Sequence, residues 1–331
     1  MAVIAAPITG SPCHIRAFNP VRDSRAATDL VELCFRENVD ADGRSYLRRL
    51  HDSAYRSFLI DWVSPFEPAS LPRIGLVWEE ANRLIGYLSI IPFQKQHQPC
   101  YLIANVAVHP EWRGRGIGRA LTRQALSYAR QHHAHAAWLQ VRADNLAAVH
   151  IYKTEGFIER ARRTSWVSPA APHPRSGRAG ENAAGVSIRT RRMQDWKTQQ
   201  TWLHAMYPAD LAWHLPVDYH AFTPGFAGAL YRFMNWVYPR HWVAQSGQNV
   251  LGILSYLPGE GHTDTLWLAL PRAEAPIEQD AFLLALLRSA RYETPHHRPL
   301  SLNLPASIDV SALPEAGFTA EQTLIWMACP F

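Results

Sequence analysis

Cysteine is scarce in this sequence, and the spacings that build disulfide frameworks or metal centres are absent. The 331 residues contain four cysteines, at positions 13, 34, 100 and 329, and none of them forms a CxxC pair. Scattered thiols favour a reducing compartment, so we expect a cytoplasmic protein. The 16 histidines form neither an HExxH nor an HxxxH pattern. We therefore predict no metal site.

Long apolar runs and strong charge runs are also missing. No uncharged apolar stretch reaches the 18 or so residues of a membrane-spanning helix, which excludes a membrane span. Residues 1–13 have no positive side chain before a short apolar run, so we expect a frayed, disordered N-terminus rather than an export signal. The net charge of +5 suits anionic ligands.

One arginine cluster raises the question of a nucleic-acid partner. Its members are Arg160, Arg162, Arg163, Arg175 and Arg178. Neither interleaved aromatic residues nor a nucleic-acid-binding motif accompanies them. We interpret the cluster as a solvated basic surface and expect no nucleic-acid partner.

A stretch rich in proline, alanine and glycine divides the chain. Residues 167–186 read VSPAAPHPRSGRAGENAAGV and are predicted to be a linker. The linker separates residues 14–166 from residues 187–331, and each half is long enough to bury its own core. The content of 47% hydrophobic and 18% charged residues is typical of globular domains.

The two halves share three short patterns in the same order. The matched pairs are Ile15-Arg16 with Ile188-Arg189, RLIGYLS at 83–89 with NVLGILS at 249–255, and Gly156-Phe157 with Gly317-Phe318. A repeat of this length predicts two duplicated domains rather than a solenoid.

Hydrophobic spacing in the first half predicts a mixed α/β sheet. Helical patterns cover residues 27–36, 44–60 and a segment from 117, and strand patterns cover 74–81, 83–91, 101–108 and 136–142. A short helix capped by Asp144 or Asn145 is expected to end at Gly156. The uncharged run at 101–108 is typical of a strand that is buried on both faces.

A turn rich in glycine and arginine follows that strand. It reads Arg113-Gly-Arg-Gly-Ile-Gly-Arg119. Glycine lets backbone N–H groups approach a ligand, and a helix start offers unpaired donors and the positive end of a dipole. We predict a pyrophosphate site here, formed by Arg113, Gly114, Arg115, Gly116, Ile117, Gly118 and Arg119. The Rossmann pattern would need glycine at position 119, and the Walker GK[ST] sequence is missing.

These motifs resemble those of the GCN5-related N-acetyltransferase (GNAT) family. The R-x-x-G-x-G pattern at 113–118 resembles the family's coenzyme A loop, and the flanking segments 105–110 and 145–157 resemble its neighbouring motifs. The segment WLQVRADNLAAVHIYKTEGF is similar to ribosomal-protein N-terminal acetyltransferases. The resemblance spans about residues 14–166. It implies the acyl-CoA N-acyltransferase fold, here in two tandem copies, with acetyl-CoA as co-substrate.

The resemblance also implies a role for each matching residue. The backbone of Val106, Ala107 and Val108 would pair with the pantetheine arm, and the N–H of Val106 or Val108 would stabilise an oxyanion. Asn145 would hydrogen-bond the coenzyme arm, and Tyr152 would protonate the departing thiolate. By themselves, Asn145 also fits a helix cap and Tyr152 a packed core side chain.

The general base is not identified by the sequence. Where the similar ribosomal-protein enzymes have glutamate, this chain has Gln140, which has no titratable group. The candidates are Glu79, Glu80, His109, His150 or a chain of water molecules. Two functions therefore stay open. One is an N-acetyltransferase in which an amine attacks acetyl-CoA directly within a ternary complex, and the other is a coenzyme-A-binding regulatory or sensor module without turnover.

The sequence leaves the partners broad. The acceptor of an acetyltransferase would be the amine of a small molecule, a peptide or a protein. The oligomeric state is left open.

The second half lacks the coenzyme motifs. After the strand pattern at 265–270 the chain reads PRAEAPIEQDAF, which has prolines and acidic residues in place of glycine and arginine. We expect a degenerate GNAT-like domain without a coenzyme site. Its tryptophans predict either an aromatic core or a docking surface. They are Trp196, Trp202, Trp213, Trp236, Trp242 and Trp267.

Overall fold

The computed structural model describes most of the chain and divides it into two compact units. The described residues are 14–36, 74–170, 185–212, 214–259, 263–271, 279–295, 297–308 and 311–331. The predicted disordered terminus at 1–13, the predicted helix at 44–60 and most of the predicted linker lie outside these ranges. One unit comprises Met1–Arg160 with Trp326–Phe331, and the other comprises Ala161–Ile325.

The first unit is a mixed sheet with helices. Its elements are β1 (Ile15–Ala17), α1 (Pro20–Phe35), β2 (Gly75–Glu80), β3 (Arg83–Lys95), β4 (Gln98–Val108), α2 (Ile117–Gln131), β5 (Ala136–Arg142) and α3 (Leu146–Thr154). The strands lie in the order β1-β2-β3-β4-β5, followed by the last residues of the chain. Strands β4 and β5 are parallel, whereas β1 to β4 pair antiparallel.

Two predictions about these elements are wrong in detail. Helix α1 begins at Pro20, seven residues before the predicted start at 27, because Asn19 caps it by accepting from the N–H groups of Val21 and Arg22. Strand β4 is not buried on both faces. Only three of its residues are buried, and its pairing with β5 ends at Ile103, so residues 104–108 have a neighbouring strand on one side only.

The second unit repeats this architecture. Its elements are β6 (Ile158–Ser168), β7 (Val186–Thr190), α4 (Trp196–Met206), α5 (Tyr219–Phe222), α6 (Gly225–Asn235), β8 (Arg240–Ser246), β9 (Asn249–Leu257), β10 (Asp264–Ala269), α7 (Gln279–Glu293), β11 (Leu300–Pro305), α8 (Ala312–Glu315) and the start of β12 (Thr319–Pro330). The strand order is β6-β11-β10-β9-β8-β7. Strands β10 and β11 are parallel, like β4 and β5.

The same ion pair fixes the entry strand of each unit. Arg16 donates two hydrogen bonds to Asp23, at 2.6 and 2.8 Å. In the second unit Arg189 donates two to Asp195, at 2.6 and 2.9 Å. These arginines are the ones that the sequence repeat aligns. The repeat therefore extends to side-chain geometry.

A glycine at equivalent positions lets a helix approach each sheet. A Cβ added to Gly86 would lie 3.0 Å from Ile117 and from Leu121 of α2. A Cβ added to Gly252 would lie 2.8 Å from Phe282 of α7. Both glycines belong to the second matched segment of the repeat. The predicted α/β class, as two tandem copies of one mixed sheet, is confirmed.

The boundaries of the two units differ from the predicted ranges 14–166 and 187–331, because each unit includes a short segment that was predicted to belong to the other unit or to the linker. Residues 161–168 of β6 belong to the second unit, where β6 pairs with β11 from Arg163↔Pro305 to Ser168↔Leu300. Residues 326–331 at the chain end belong to the first unit. A strand belongs to the unit that holds its hydrogen-bond partners, and sequence order does not reveal those partners.

No helix within the described ranges is long and apolar enough to cross a membrane.

Candidate active site

Strands β4 and β5 run side by side over only part of their length. Their parallel register begins with Cys100 opposite Ala136 and ends with Ile103 opposite Leu139. Both strands continue further, to residue 108 and residue 142. The backbone of residues 104–108 therefore borders an opening in the sheet, where peptide groups are available to a ligand.

Backbone alternation decides which peptide groups point into the opening. The His109 N–H donates to the Ile85 carbonyl at 2.9 Å, and Ala107 lies opposite Tyr87. Hydrogen-bonded pairs alternate with non-bonded pairs in antiparallel strands. Val108 therefore directs its peptide groups away from β3 and towards the opening, whereas Ala107 uses its own in the sheet. We accordingly leave Ala107 out of the proposed ligand contacts.

A bulge at Asn105 shifts the register between β4 and β3. Ser89 lies opposite Ala104 but Tyr87 lies opposite Ala107, so one extra residue has been inserted into β4. Asn105 has φ +53°, in the left-handed region that asparagine tolerates better than most residues. Its Nδ2 donates to the Ser89 hydroxyl at 3.1 Å. A lone asparagine within an apolar strand was the sequence signal for this bulge.

Replacing Asn105 tests the bulge. Asn105→Val should lower the free energy of unfolding by roughly 1–2 kcal/mol more than Asn105→Gly does, because a β-branched residue resists positive φ. Both variants lose the hydrogen bond to Ser89, so the difference between them isolates the backbone conformation. Urea unfolding of the two variants measures it, and equal losses would contradict a left-handed requirement at this position.

The glycine turn adopts a conformation that only glycine adopts freely. Gly114 has φ +77° and Gly116 has φ +78°. A Cβ added to either would meet nothing within 4 Å, so open space lies beside the backbone. Gly116 is the residue that precedes α2, whose first N–H groups have no acceptor within the helix. The turn therefore combines free donors, the positive helix end and room for an anion.

Arg113 and Arg115 at the turn form no ion pair with any other residue that the structure describes. The Nε of Arg113 donates to the Val108 carbonyl at 3.2 Å, and Arg115 stacks over the Trp112 ring at 4.5 Å. Cys34 of α1 also donates to the Val108 carbonyl, at 3.3 Å. That carbonyl already has two donors, so the Val108 N–H is the group left for a ligand.

Arg119 is arranged differently from the other two arginines. Its Nε donates to Glu155 at 2.5 Å, and Arg123 donates to the same carboxylate at 2.9 and 3.0 Å. Hydrogen bonds from Arg123 and Arg119 hold the pKa of Glu155 below its usual range. Because this carboxylate neutralises part of the local charge, Arg119 offers less positive charge to an anion than Arg113 and Arg115 do.

Asn145 is the cap of α3. Its Oδ1 accepts from the Ala148 N–H at 3.2 Å. The cap uses the amide oxygen and leaves the Nδ2 donor for another partner. The two roles considered for Asn145 are thus compatible.

Tyr152 is a buried residue of α3 that packs edge-on against Phe157, with ring centroids 5.9 Å apart. No hydrogen bond to its hydroxyl is found among the described residues. Burial raises the pKa of Tyr152, so the phenol stays protonated at physiological pH. A protonated and unpartnered hydroxyl can serve as a proton donor.

The candidate bases differ in their ion-pair partners and in their exposure. Glu79 accepts from Arg16 at 2.6 Å and from Arg22 at 2.7 Å, and hydrogen bonding to Arg16 chiefly lowers the pKa of its carboxyl. Such a carboxylate is a weak base. Glu80 pairs with His14 at 2.8 Å, and His150 is exposed on α3.

Two polar atoms near the site are buried without a partner. The Nε2 of Gln140 and the Nδ1 of His109 have no hydrogen-bond partner among the described residues. Gln140 lies in the part of β5 that has separated from β4.

The second unit has a comparable opening, but a tyrosine occupies it. The parallel register of β10 with β11 ends at Leu266 opposite Leu302. Beyond that point the Tyr207 hydroxyl accepts from the Leu268 N–H and donates to the Asn303 carbonyl, both at 3.3 Å. The hydroxyl bridges the two strands where they separate.

Arg163 closes the same region from β6. It is 2% exposed, stacks over the Tyr207 ring at 4.9 Å and donates to the carbonyls of Asn303 and Met206 at 2.8 and 2.7 Å. Burial lowers the pKa of its guanidinium. The interpretation of the arginine cluster as solvated surface is therefore wrong for Arg163, because backbone carbonyls replace water around it. Arg175 and Arg178 lie outside the described residues.

The tryptophans of the second unit divide between core and surface. Trp242 and Trp267 are buried, and Trp196 and Trp202 pack against the same core. Trp236 is 77% exposed. Trp213 lies outside the described residues.

In the described part of the chain, no group of three or more histidine, cysteine, aspartate or glutamate residues is placed to hold a metal ion.

Comparison with known proteins finds a similarity of the first half of the chain to one acetyltransferase family. Residues 35–157 match the acetyltransferase (GNAT) family model. Among curated relatives, the N-alpha-acetyltransferase RimI of Mycobacterium tuberculosis is 38% identical over 74 residues, which are 22% of this chain and 45% of that protein. The mycothiol acetyltransferase of an Arthrobacter species is 28% identical over 165 residues, which are 49% of this chain and 46% of that protein. The chain thus covers less than half the length of either relative.

Among solved structures, a GCN5-related N-acetyltransferase from Sphaerobacter thermophilus matches nearly the whole chain. The TM-score is 0.53 over 96% of each chain, at 15% sequence identity. At that identity the similarity shows the fold alone.

Proposed function

We propose that the first unit is an acetyltransferase of the GNAT family and transfers acetyl from acetyl-CoA to an amine by direct attack within a ternary complex. The match of residues 35–157 to the family model supports this proposal. The observation that carries the proposal is the opening between β4 and β5 beside the glycine turn. Backbone N–H groups at the unpaired edge of β4 face this opening. A second set of N–H groups lies a few residues later, at the start of α2. That combination suits a ligand with a peptide-like arm and a pyrophosphate.

The residues present fit such a ligand. The Val106 and Val108 backbone would pair with the amide-rich arm. The turn from Arg113 to Gly118 has open space beside both left-handed glycines, which a larger residue would fill. The free Nδ2 of Asn145 would donate to the arm. Acetyl-CoA supplies the activated acyl group when it is bound.

The chain's own groups would act at two atoms of the reaction. The Val106 or Val108 N–H would donate to the carbonyl oxygen as it becomes an oxyanion, an effect of typically a few kcal/mol. The hydroxyl of Tyr152 would donate its proton to the sulfur as the C–S bond breaks. Its raised pKa means that the phenol holds its proton at physiological pH before the reaction, and the negative charge that develops on the sulfur draws the proton across.

No side chain is well suited to remove the proton from the amine among the candidates that the structure describes. Glu79 is held by two arginines, and Gln140 cannot accept a proton. We propose that water removes the proton, or that the acceptor is an amine of low pKa, with positioning supplying much of the acceleration. The relatives compared above carry the names of an N-alpha-acetyltransferase and a mycothiol acetyltransferase. These names support the proposal that the acceptor is an amine of a protein or of a small molecule.

The second unit is proposed to bind no coenzyme. Tyr207 uses the Leu268 N–H, which corresponds to the strand edge that would meet the ligand in the first unit. Arg163 covers the carbonyl on the other side of the opening. A coenzyme arm would have to displace both side chains.

A reducing compartment is proposed for this protein. The three described cysteines, Cys34, Cys100 and Cys329, are free thiols. We therefore keep the cytoplasm as the proposed location.

Thiol release separates this proposal from its rival, a coenzyme-binding sensor without turnover. The sensor is favoured by one observation, which is that Gln140 stands where the similar enzymes have an acid. The full chain is mixed with acetyl-CoA and a panel of peptide, polyamine and aminoglycoside amines, and free coenzyme A is measured. We expect amine-dependent thiol release with at least one acceptor. Tight coenzyme binding with no release across the panel would favour the sensor.

A further inference from the structure

A cluster of basic side chains lies between α4, α6 and β8 in the second unit. Arg191, Arg232 and His241 form it. The Arg191 N–H donates to the His241 carbonyl at 3.3 Å. Arg232 donates to the carbonyls of Ala221 and Thr223, on either side of Phe222. The Phe222 ring contacts the His241 ring at 5.3 Å.

These cations have no carboxylate partner among the described residues. Neither Arg191 nor Arg232 forms an ion pair there. The nearest acid that acts on Arg191 is Asp195, whose two oxygens already bind Arg189 and the Arg192 N–H. Burial and the charge of Arg232 lower the pKa of Arg191 to about 10. Burial and the two arginines lower the pKa of His241 to about 3.

A chain of hydrogen bonds through two buried residues, Gln199 and Ser255, connects Arg191 to His241. Arg191 donates to the Oε1 of Gln199 at 2.5 Å, so the Nε2 of Gln199 donates to the Ser255 hydroxyl at 2.6 Å. Gln199 and Ser255 are completely buried. The Ser255 hydroxyl can therefore donate its own proton to the Nδ1 of His241, at 2.8 Å. The neutral His241 tautomer that accepts this bond carries its proton on Nε2.

Every group that the cluster presents outward is thus a donor. Arg191, Arg232 and His241 are each partly exposed, so a solute can reach them. The Cζ of Arg191 lies over the Trp196 ring, 5.4 Å from its centroid, and the side chain is accessible enough for a ligand to approach its guanidinium. Such edges bind the paired oxygens of carboxylates and phosphates.

We infer that this cluster is a binding site for a small oxyanion, carboxylate or phosphate, held by Arg191 and Arg232 with the His241 Nε2–H as a third donor. An oxyanion would remove the repulsion between two half-buried guanidinium groups. The site lies wholly in the second unit and does not depend on coenzyme binding by the first.

Thermal unfolding of the full chain tests the inference. The chain carries Gly116→Asp, so that the glycine turn cannot contribute an anion site. Sodium phosphate, citrate and acetate are each compared with sodium chloride at equal ionic strength. We expect phosphate or a carboxylate to raise Tm by about 5 °C at 100 times its dissociation constant. A shift no larger than that of chloride for all three anions would overturn the site.

Variants then locate the site. Arg191→Met and Arg232→Met should each remove the anion-dependent shift, whereas Arg288→Met should keep it, because Arg288 is an exposed arginine paired with Glu315 at 3.1 Å. The ¹⁵N resonance of the His241 Nε2 in the folded parent should also move as phosphate is added. A shift that persists in both cluster variants, or a His241 signal that does not respond, would refute this location.

Discussion

Gly116→Asp is expected to weaken coenzyme A binding by about 100-fold, or ~2.8 kcal/mol. Gly116 lies directly before α2 with φ +78°, and the space beside it is open. An aspartate would place a carboxylate where the pyrophosphate is proposed to lie, next to the amides that would bind it. Repulsion between the two anions and loss of the donor surface act in the same direction. Isothermal titration calorimetry with coenzyme A measures the change.

Gly247→Asp is the matched control for this change. Gly247 also has positive φ, +57°, and open space around its Cβ position, but it lies in the turn between β8 and β9 of the second unit. It should leave the affinity unchanged. The parent should bind one coenzyme per chain, because Tyr207 and Arg163 fill the second opening. Equal affinity in Gly116→Asp and the parent would remove the turn from the site.

Tyr152→Phe is expected to lower kcat by about 100-fold with little change in KM for acetyl-CoA. Phenylalanine keeps the packing against Phe157 and removes only the hydroxyl. Because that hydroxyl has no partner in the described structure, its loss leaves no buried group unsatisfied. The effect should therefore fall on proton transfer to the thiolate and not on stability. Steady-state kinetics with an accepting amine and a thermal unfolding curve measure the two quantities.

Tyr101→Phe provides the comparison for Tyr152. Tyr101 lies on β4 in the part still paired with β5, opposite Ala137, and its ring contacts Tyr128. It should retain the parent kcat. A Tyr152→Phe enzyme with parental turnover would leave Tyr152 a packing residue, which was the other interpretation of its sequence position.

The pH dependence of kcat is a second test of the protonation state of Tyr152. Burial raises the pKa of this phenol in the folded protein, so it keeps its proton as pH rises through the range where a free tyrosine titrates. Loss of activity on the alkaline side should therefore not come from Tyr152 ionisation near pH 10. The pH dependence of kcat in parent and Tyr152→Phe should have the same alkaline limb.

Local motifs were enough to predict several parts of the site. The glycine turn was recognisable because backbone with positive φ favours glycine, as at Gly114 and Gly116, and because a helical pattern begins directly after it. The Asn145 cap was recognisable for the same reason. The bulge at Asn105 was missed, although its signal was present, because a single polar residue in an apolar strand has many possible causes.

The sequence by itself determined the α/β class, the duplication and the position of the glycine turn. Each of these depends on residues that are neighbours in the chain or that recur in a fixed order, as Arg16 and Arg189 do. Only the tertiary structure decided which strands complete each sheet and where β4 leaves β5. It also decided that Arg163 is buried beside Tyr207 and that Arg191 lies with Arg232 and His241. Those contacts join residues far apart in sequence, and the free energy that selects them comes from packing and strand pairing, for which a linear pattern carries no record.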